Sequence, residues 1–174
     1  MRALRTRFAA AGFIAMTFDY PYVADGRRAP DRLPRLLEAH AAAADRLTAY
    51  APRVALAGKS MGGRVGSHLA GDEAWPAAGL VYFGYPLVPL GSKPARPTGH
   101  LARIAAPQLF WAGSRDRLSP PGLIAPLAAS LPDATFELVD DADHGFAVPK
   151  RTGRTDDWVL ARLVAGTAAW LAEL

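Results

Sequence analysis

The stretch RVALAGKSMGG, residues 53–63, decides the fold of this chain. Its first half is a short apolar run that predicts a buried strand, and residues 61–70 predict a helix. Between the two stands Ser60, with Gly58 two residues before it and Gly62 two residues after it. A sharp strand-to-helix turn of this kind exposes a serine hydroxyl, and glycines at these positions relieve crowding. The stretch therefore predicts a nucleophilic serine at the carboxyl end of a strand.

Predicted helices and strands alternate on both sides of this turn. The helices are expected at 2–11, 35–49, 61–70, 123–130 and 156–174, and the strands at 13–18, 53–57, 79–83, 107–112 and 135–139. A loop rich in Pro and Arg covers 21–34, and an irregular loop runs from 84 to about 103. In the closing helix we expect four buried side chains, namely Trp158, Leu163, Trp170 and Leu171.

This alternation predicts one α/β domain over residues 1–174. Short apolar strands that lack polar alternation are buried on both faces, and their helical connections require parallel pairing. The predicted architecture is a three-layer α/β/α sandwich with a mainly parallel sheet.

Composition excludes several classes of function. The 174 residues contain no Cys, so disulfide frameworks, zinc-thiolate sites and cysteine nucleophiles are excluded. The net charge is +4, and the basic residues are scattered, which argues against nucleic-acid binding. The N-terminal residues imitate a signal peptide, with a basic start and the apolar run 8–18, but no small-residue cleavage site follows. The run is too short to span a bilayer. We therefore predict a cytoplasmic protein without a membrane partner.

One competing motif is a phosphate-binding loop, because Gly58-Lys59-Ser60 also ends the pattern G-x-x-x-x-G-K-S. That pattern requires a glycine at position 53, which is Arg53. Residues 54–57 have the composition of a strand and are not expected to wrap a phosphate with backbone N–H groups. We therefore reject this interpretation.

A serine nucleophile needs a base to take its proton and an acid to orient that base. Because ligands bind beyond the carboxyl ends of parallel strands, the residues just past each strand are the candidates. Asp116 follows the strand 107–112, and His144 follows the strand 135–139. The order Ser60, Asp116, His144 is the one expected for a serine in such a turn. The three residues are the predicted catalytic triad.

Other interpretations of single residues remain open from sequence alone. Asp116 could cap a local turn, and His144 could be an ordinary loop histidine. His100, in the irregular loop, is the rival base, whereas His40 and His68 fall in helices and are expected to be structural or solvated. Three carboxylates lie near His144 in the sequence: Asp143, the neighbouring residue, is expected to point away from it, and Asp140 and Asp141 are expected to form turns.

Tyrosines are candidates for lining the substrate pocket. Tyr20, Tyr22 and Tyr85 each come shortly after a predicted strand. Lys150 and Arg151 could attract an anionic substrate, although a solvated surface charge is the simpler interpretation.

Four motifs carry a resemblance to a known family. They are FDYPY at 18–22, GKSMGGR at 58–64, GYP at 84–86, and the stretch from Asp143-His144 to VPKR at 148–151. Over essentially its whole length the chain resembles the dienelactone-hydrolase-like α/β hydrolases, in particular a small group that includes chromatin-complex (NSL-type) subunits. The resemblance implies Ser60 as nucleophile, Asp116 as acid, His144 as base and the Met61 N–H as one oxyanion-hole donor. Gly145 departs from this group, in which Ser commonly follows the histidine.

The resemblance also implies a strand before residue 2 that this chain does not contain. In the family that strand ends in a His-Gly-Ala-Gly-like loop, which supplies the second oxyanion donor, and lies between the strands matching 13–18 and 53–57. Loss of one such donor typically costs ~10²–10³ in rate. The gap would be about 10 Å wide, with unpaired amides on both sides. Either residues precede Met1 in the natural protein, which we favour, or the flanking strands close up.

Two functions from different classes follow. The first is a serine hydrolase that acts on a small ester, thioester or amide through an acyl-enzyme and needs no cofactor and no metal. The second is a non-catalytic binding or scaffold protein that keeps the fold. The sequence does not fix the acyl or leaving-group preference or the oligomeric state.

Overall fold

A computed structural model describes residues 1–89, 91 and 94–174. Four parallel strands form the sheet in the order β1-β2-β3-β4, with β1 at Ala55–Lys59, β2 at Gly79–Phe83, β3 at Gln108–Gly113 and β4 at Ala134–Val139. The carboxyl ends of all four strands therefore lie at one edge of the sheet, where the residues that follow them come together.

The described residues contain six α-helices. They are α1 (Arg2–Ala10), α2 (Pro21–Ala24), α3 (Leu33–Thr48), α4 (Met61–Gly71), α5 (Pro121–Ala129) and α6 (Asp156–Ala172). Short 3₁₀ turns occupy Leu101–Arg103 and Lys150–Thr152. No helix in the described part of the chain is long and apolar enough to cross a membrane.

Alternate residues of the central strands face opposite layers. Leu80 and Tyr82 of β2 pack into a core with α3, α4 and α5, whereas Val81 and Phe83 pack into a second core with α1 and α6. Both β2 and β3 are buried along their whole length. The predicted three-layer α/β/α sandwich with a parallel sheet is confirmed. The irregular loop 84–103 is present, and Leu90, Ser92 and Lys93 within it lie outside the described residues.

The predicted strand 13–18 is wrong. These residues are not part of the sheet, although burial alternates along them as it does in a strand. Residues 14–19 make no backbone hydrogen bond to any described residue. They line one wall of a groove of about 780 Å³ whose other wall includes Val54, Ala55 and Ala57. The two flanking segments therefore do not close up onto each other, and without a neighbouring strand the stretch has no ladder to join.

Two finer predictions are also wrong. The edge strands β1 and β4 are not buried on both faces as predicted, because Ala57 of β1 and Thr135 of β4 are exposed. In α6, Leu163 is buried as predicted, but Trp158 is 44% exposed. The guanidinium of Arg154 stacks 4.9 Å from the centroid of the Trp158 ring, so this tryptophan lies at the surface in the first turn of the helix. Trp170 and Leu171 are partly buried.

Candidate active site

Ser60 occupies the turn between β1 and α4 in a strained conformation. Its φ is 50° and its ψ is −118°, a backbone conformation that residues other than glycine rarely adopt. Two hydrogen bonds hold the turn: the Ser60 N–H donates to the Phe83 carbonyl (3.1 Å), and the Arg64 N–H donates to the Ser60 carbonyl (3.1 Å). These hydrogen bonds, one to β2 and one from α4, therefore hold Ser60 in its strained conformation.

The crowding at this turn involves a different pair of glycines from the one expected. A Cβ on Gly58 would lie 2.1 Å from the Gly63 nitrogen, and a Cβ on Gly63 would lie 2.8 Å from the Gly58 carbonyl oxygen. A Cβ on Gly62 would meet no atom within 4 Å. The close approach therefore joins Gly58 to Gly63, and the predicted crowding at Gly62 is wrong.

The structure brings Ser60, His144 and Asp116 into one hydrogen-bonded chain. Ser60 Oγ lies 2.9 Å from Nε2 of His144, and Nδ1 of His144 lies 2.8 Å from Oδ2 of Asp116. The Asp116 side chain is fully buried, and its Oδ1 accepts the N–H groups of Leu118 and Ser119 at 2.9 Å. The carboxylate is therefore fixed by three donors, one of which is the imidazole.

Two backbone features hold the imidazole in place. Gly84, with φ of 71°, lies so close that a Cβ there would stand 3.2 Å from the Asp116 carboxylate and from the His144 ring. The loop that carries His144 is closed by Asp143, whose Oδ1 accepts the Gly145 and Ala147 N–H groups at 2.8 and 3.0 Å. Asp143 thus shapes the turn, a role not predicted from the sequence, and its carboxylate makes no hydrogen bond to the imidazole of His144, as expected for a neighbouring residue.

Two cavities meet at Ser60. One is the groove of about 780 Å³ beside β1, and the other is a cavity of about 480 Å³ on the side of α4. Met61 lines both of them. As the first residue of α4 it has an N–H without a partner inside the helix, so this amide is free to donate to a ligand at Ser60. A second donor in an upstream loop stays a prediction.

The alpha/beta hydrolase domain profile matches residues 1–172 of the chain. The chain belongs to the alpha/beta hydrolase family. No curated protein shows significant similarity to this alpha/beta hydrolase.

Solved structures of several bacterial proteins are similar to this alpha/beta hydrolase in fold. A protein of unknown function from Agrobacterium tumefaciens is 20% identical with a TM-score of 0.72, over 98% of this chain and 74% of that one. An alpha-beta serine hydrolase homologue from Coxiella burnetii is 20% identical with a TM-score of 0.60, over 80% and 62%. An esterase domain from Rhodothermus marinus is 23% identical with a TM-score of 0.58, over 77% and 66%. The chain thus spans less than two thirds of the Coxiella and Rhodothermus chains, and identities this low show the fold alone.

The three predicted pocket tyrosines have different surroundings. Tyr20 and Tyr22 line the groove that reaches Ser60, and the Tyr20 hydroxyl lies 3.0 Å from Nδ1 of the buried His40. Tyr85 is 1% exposed and lines neither cavity, because its ring packs against the core residues Tyr82 and Phe110. The expectation that Tyr85 lines the pocket is wrong, whereas Tyr20 and Tyr22 stay candidates.

The remaining histidines lie away from Ser60. His100, the rival base, is buried with its Nε2 2.9 Å from Ser67 Oγ and 3.3 Å from the Tyr85 hydroxyl, and its ring stacks on that of His68. His68 contacts the carboxylate of Asp72. His100 therefore has no contact with Ser60 and is set aside as a base for this alpha/beta hydrolase.

Two of these histidines give the protein a predictable pH dependence of stability. Burial lowers the pKa of His40 to about 4, and burial, with His68 beside it, lowers the pKa of His100 to about 4. Both values lie below the ordinary 6.5, so protons bind more tightly to the unfolded chain, and stability falls as the pH falls from 6.5 towards 4. We expect the unfolding free energy to drop by up to about 2 kcal/mol per histidine between pH 7 and pH 5.

Urea unfolding of the wild type and of His40→Gln at pH 7, 6 and 5 measures this effect. In the variant, the pH-dependent change in the free energy of unfolding should be about half that of the wild type, because His100 is then the remaining histidine whose pKa is lowered by burial. An identical pH dependence in both proteins would contradict the assignment of His40.

Two arginines of the candidate site of this alpha/beta hydrolase were not predicted from the sequence. Arg64 and Arg96 line the cavity of about 480 Å³ together with Ser60. The spacing of four residues between Ser60 and Arg64 was a usable signal, since such residues share one face of a helix. Arg96 comes from the irregular loop, where no pattern marks it.

Proposed function

We propose that this chain is a serine hydrolase that cleaves small esters, thioesters or amides through an acyl-enzyme. The observation that carries the proposal is the unbroken chain of contacts from Ser60 through His144 to the buried carboxylate of Asp116. Each residue then has one role. Ser60 is the nucleophile, His144 the general base and acid, and Asp116 the group that holds the imidazole with its proton on Nδ1.

The reaction proceeds in two balanced halves. Ser60 Oγ forms a bond to the substrate carbonyl carbon while its proton passes to Nε2 of His144. The bond to the leaving group then breaks, and the imidazolium gives its proton to that group. A water molecule next attacks the acyl carbon, loses a proton to His144, and releases the acid as Ser60 recovers its proton. The Met61 N–H would stabilise the oxyanion in both halves.

Family membership and neighbours with serine hydrolase and esterase descriptions support a hydrolase. The buried acid also favours catalysis over scaffolding, because a protein that only binds has no need to hold a carboxylate against an imidazole. The resemblance carried by the motifs at 18–22, 58–64, 84–86 and 143–151 supports the dienelactone-hydrolase-like group as the proposed subfamily. The absence of Cys is compatible with a reducing compartment, and we propose the cytoplasm as the protein's location. The two cavities at Ser60 support a small molecule as its partner.

Fluorophosphonate labelling followed by mass spectrometry tests the proposal. We expect one adduct per chain, on the peptide that contains Ser60, and no adduct in Ser60→Ala. Ser130→Ala, which changes an exposed serine at the end of α5, is the matched control and should label like the wild type. A folded protein that gains no adduct would favour the non-catalytic binding or scaffold protein.

A further inference from the structure

The cavity of about 480 Å³ on the α4 side of Ser60 combines apolar walls with two guanidinium groups. Its walls include Leu33, Leu36, Val65 and Leu118, and its charged members are Asp31, Arg64 and Arg96. Pockets for small molecules usually have this composition, with mostly apolar walls and a few polar groups that fix the ligand's orientation. The volume is sufficient for a small acyl group and its leaving group.

Neither guanidinium of this cavity has a partner among the described residues. Arg64 and Arg96 form no side-chain hydrogen bond and no ion pair there, and the Nε atom of each is buried without an acceptor. Both side chains are partly buried. A buried donor without an acceptor costs free energy, so two of them at one cavity indicate that an acceptor binds there.

The two arginines also influence each other. Burial is the main cause that lowers the pKa of the Arg64 guanidinium; the nearby Tyr85 acts in the opposite direction, and the positive charge of Arg96 lowers the pKa further. Two cations held close together without a counter-ion make a positive potential that an anion would relieve.

Asp31 does not supply that counter-ion. Its Oδ1 accepts from Arg27 at 2.8 Å and lies 3.5 Å from Arg35, and its Oδ2 is buried without a hydrogen-bond partner, so its ion pairs lie with two arginines that do not line the cavity. It forms no ion pair with Arg64 or Arg96 within the described residues. The three charged groups that line the cavity thus leave it with a net positive charge.

We propose that this cavity binds the acyl part of an ester whose short aliphatic chain ends in a carboxylate, with Arg64 and Arg96 as the carboxylate ligands. The inference rests on the proposed function, since it names the substrate class for hydrolysis at Ser60. A guanidinium presents a planar fork of N–H donors that matches a carboxylate, and the apolar walls match the aliphatic chain. Ser60 is the N-cap of α4 and Arg64 lies one helical turn after it, so the two side chains lie near each other. A substrate whose carboxylate binds Arg64 therefore has its ester carbonyl close to Ser60.

The test compares two esters that differ in the terminal carboxylate. The probes are p-nitrophenyl butyrate and mono-p-nitrophenyl glutarate, with the spontaneous hydrolysis of each subtracted. For the wild type we expect kcat/KM at least about 10-fold higher for the glutarate ester. In Arg64→Gln and in Arg96→Gln this preference should fall by about 10-fold or more, which brings the kcat/KM values of the two esters close to each other.

Two variants separate charge recognition from folding and from net charge. Arg46→Gln removes one positive charge from an exposed position on α3 and should keep the full preference. Arg64→Lys keeps the charge but loses the planar fork, and should recover part of the preference that Arg64→Gln loses. If Arg64→Gln fails to fold, Arg96→Gln and Arg64→Lys still decide the result.

Glutarate binding to Ser60→Ala, measured by isothermal titration calorimetry, gives a readout without turnover. We expect binding that Arg96→Gln weakens by about 10-fold or more, and weaker binding of inorganic phosphate. Equal kcat/KM for the two esters, with the butyrate ester still hydrolysed, would overturn this inference and leave the proposed function intact. Absence of both labelling and hydrolysis would overturn the proposed function, and the calorimetry would then decide the carboxylate site by itself. Tighter binding of phosphate than of glutarate would overturn the carboxylate assignment.

Discussion

Asp116→Asn is expected to lower kcat for p-nitrophenyl butyrate by ~10⁴-fold, the loss typical of this change in a Ser-His-Asp triad. The Asp116 carboxylate accepts from Nδ1 of His144, and this contact keeps the imidazole proton on Nδ1 and leaves Nε2 free to take the serine proton. An amide at position 116 can donate to Nδ1 and so favours the tautomer that carries its proton on Nε2. That tautomer cannot accept a proton from Ser60. We expect kcat, measured by steady-state kinetics, and the rate of fluorophosphonate labelling to fall together.

The matched control is Asp143→Asn, one residue before His144. Asp143 accepts two backbone N–H groups through Oδ1, and the amide oxygen of Asn can accept the same pair. We expect less than about a 10-fold change in kcat. Thermal unfolding of both variants checks that the structure is kept. Equal losses in the two variants would show that the carboxylates act by shaping the loop, which contradicts the role proposed for Asp116.

The candidate site is predictable from sequence as far as strand ends define it. Ser60, Asp116 and His144 each follow a strand that is recognisable from a short apolar run, and parallel strands place their carboxyl ends together. Tyr85 also follows a strand, yet it lies in the core, because φ of 71° at Gly84 turns the chain inward at that point. Arg96 reaches the cavity from an irregular loop, and only the folded chain brings it beside Arg64.

The fold is predictable where each strand has its partners within the chain. The strands β2 and β3 match their apolar patterns because each has a neighbour on both sides. Residues 13–18 are equally apolar but form no strand, because a strand needs a second segment to pair with. The apolar pattern of one segment does not show whether such a partner is present. The lack of a neighbouring strand also explains why Ala57 is exposed. The apolar pattern predicts that Ala57 is buried, but it faces the open groove beside β1.

Gly58→Ala is expected to destabilise the protein by about 3 kcal/mol or more, enough to prevent accumulation of folded protein if the wild type is marginal. The added Cβ would lie 2.1 Å from the nitrogen of Gly63 and 2.3 Å from the carbonyl carbon of Gly62, both backbone atoms. No side-chain rotation can relieve such an overlap. Relief requires β1 and the start of α4 to separate, which would also break the contacts that hold Ser60. Urea unfolding monitored by tryptophan fluorescence measures the loss.

Gly62→Ala distinguishes this explanation from a general intolerance of the turn to side chains. A Cβ at Gly62 meets no atom within 4 Å, and the residue lies in the first turn of α4. Alanine costs a helix less backbone entropy than glycine, by roughly 0.5–1 kcal/mol, so this variant should be as stable as the wild type or more stable. Equal destabilisation by the two substitutions would mean that the spacing of glycines around Ser60, and not the contact between Gly58 and Gly63, sets the constraint. The opposite signs expected here place the constraint where the strand and the helix touch.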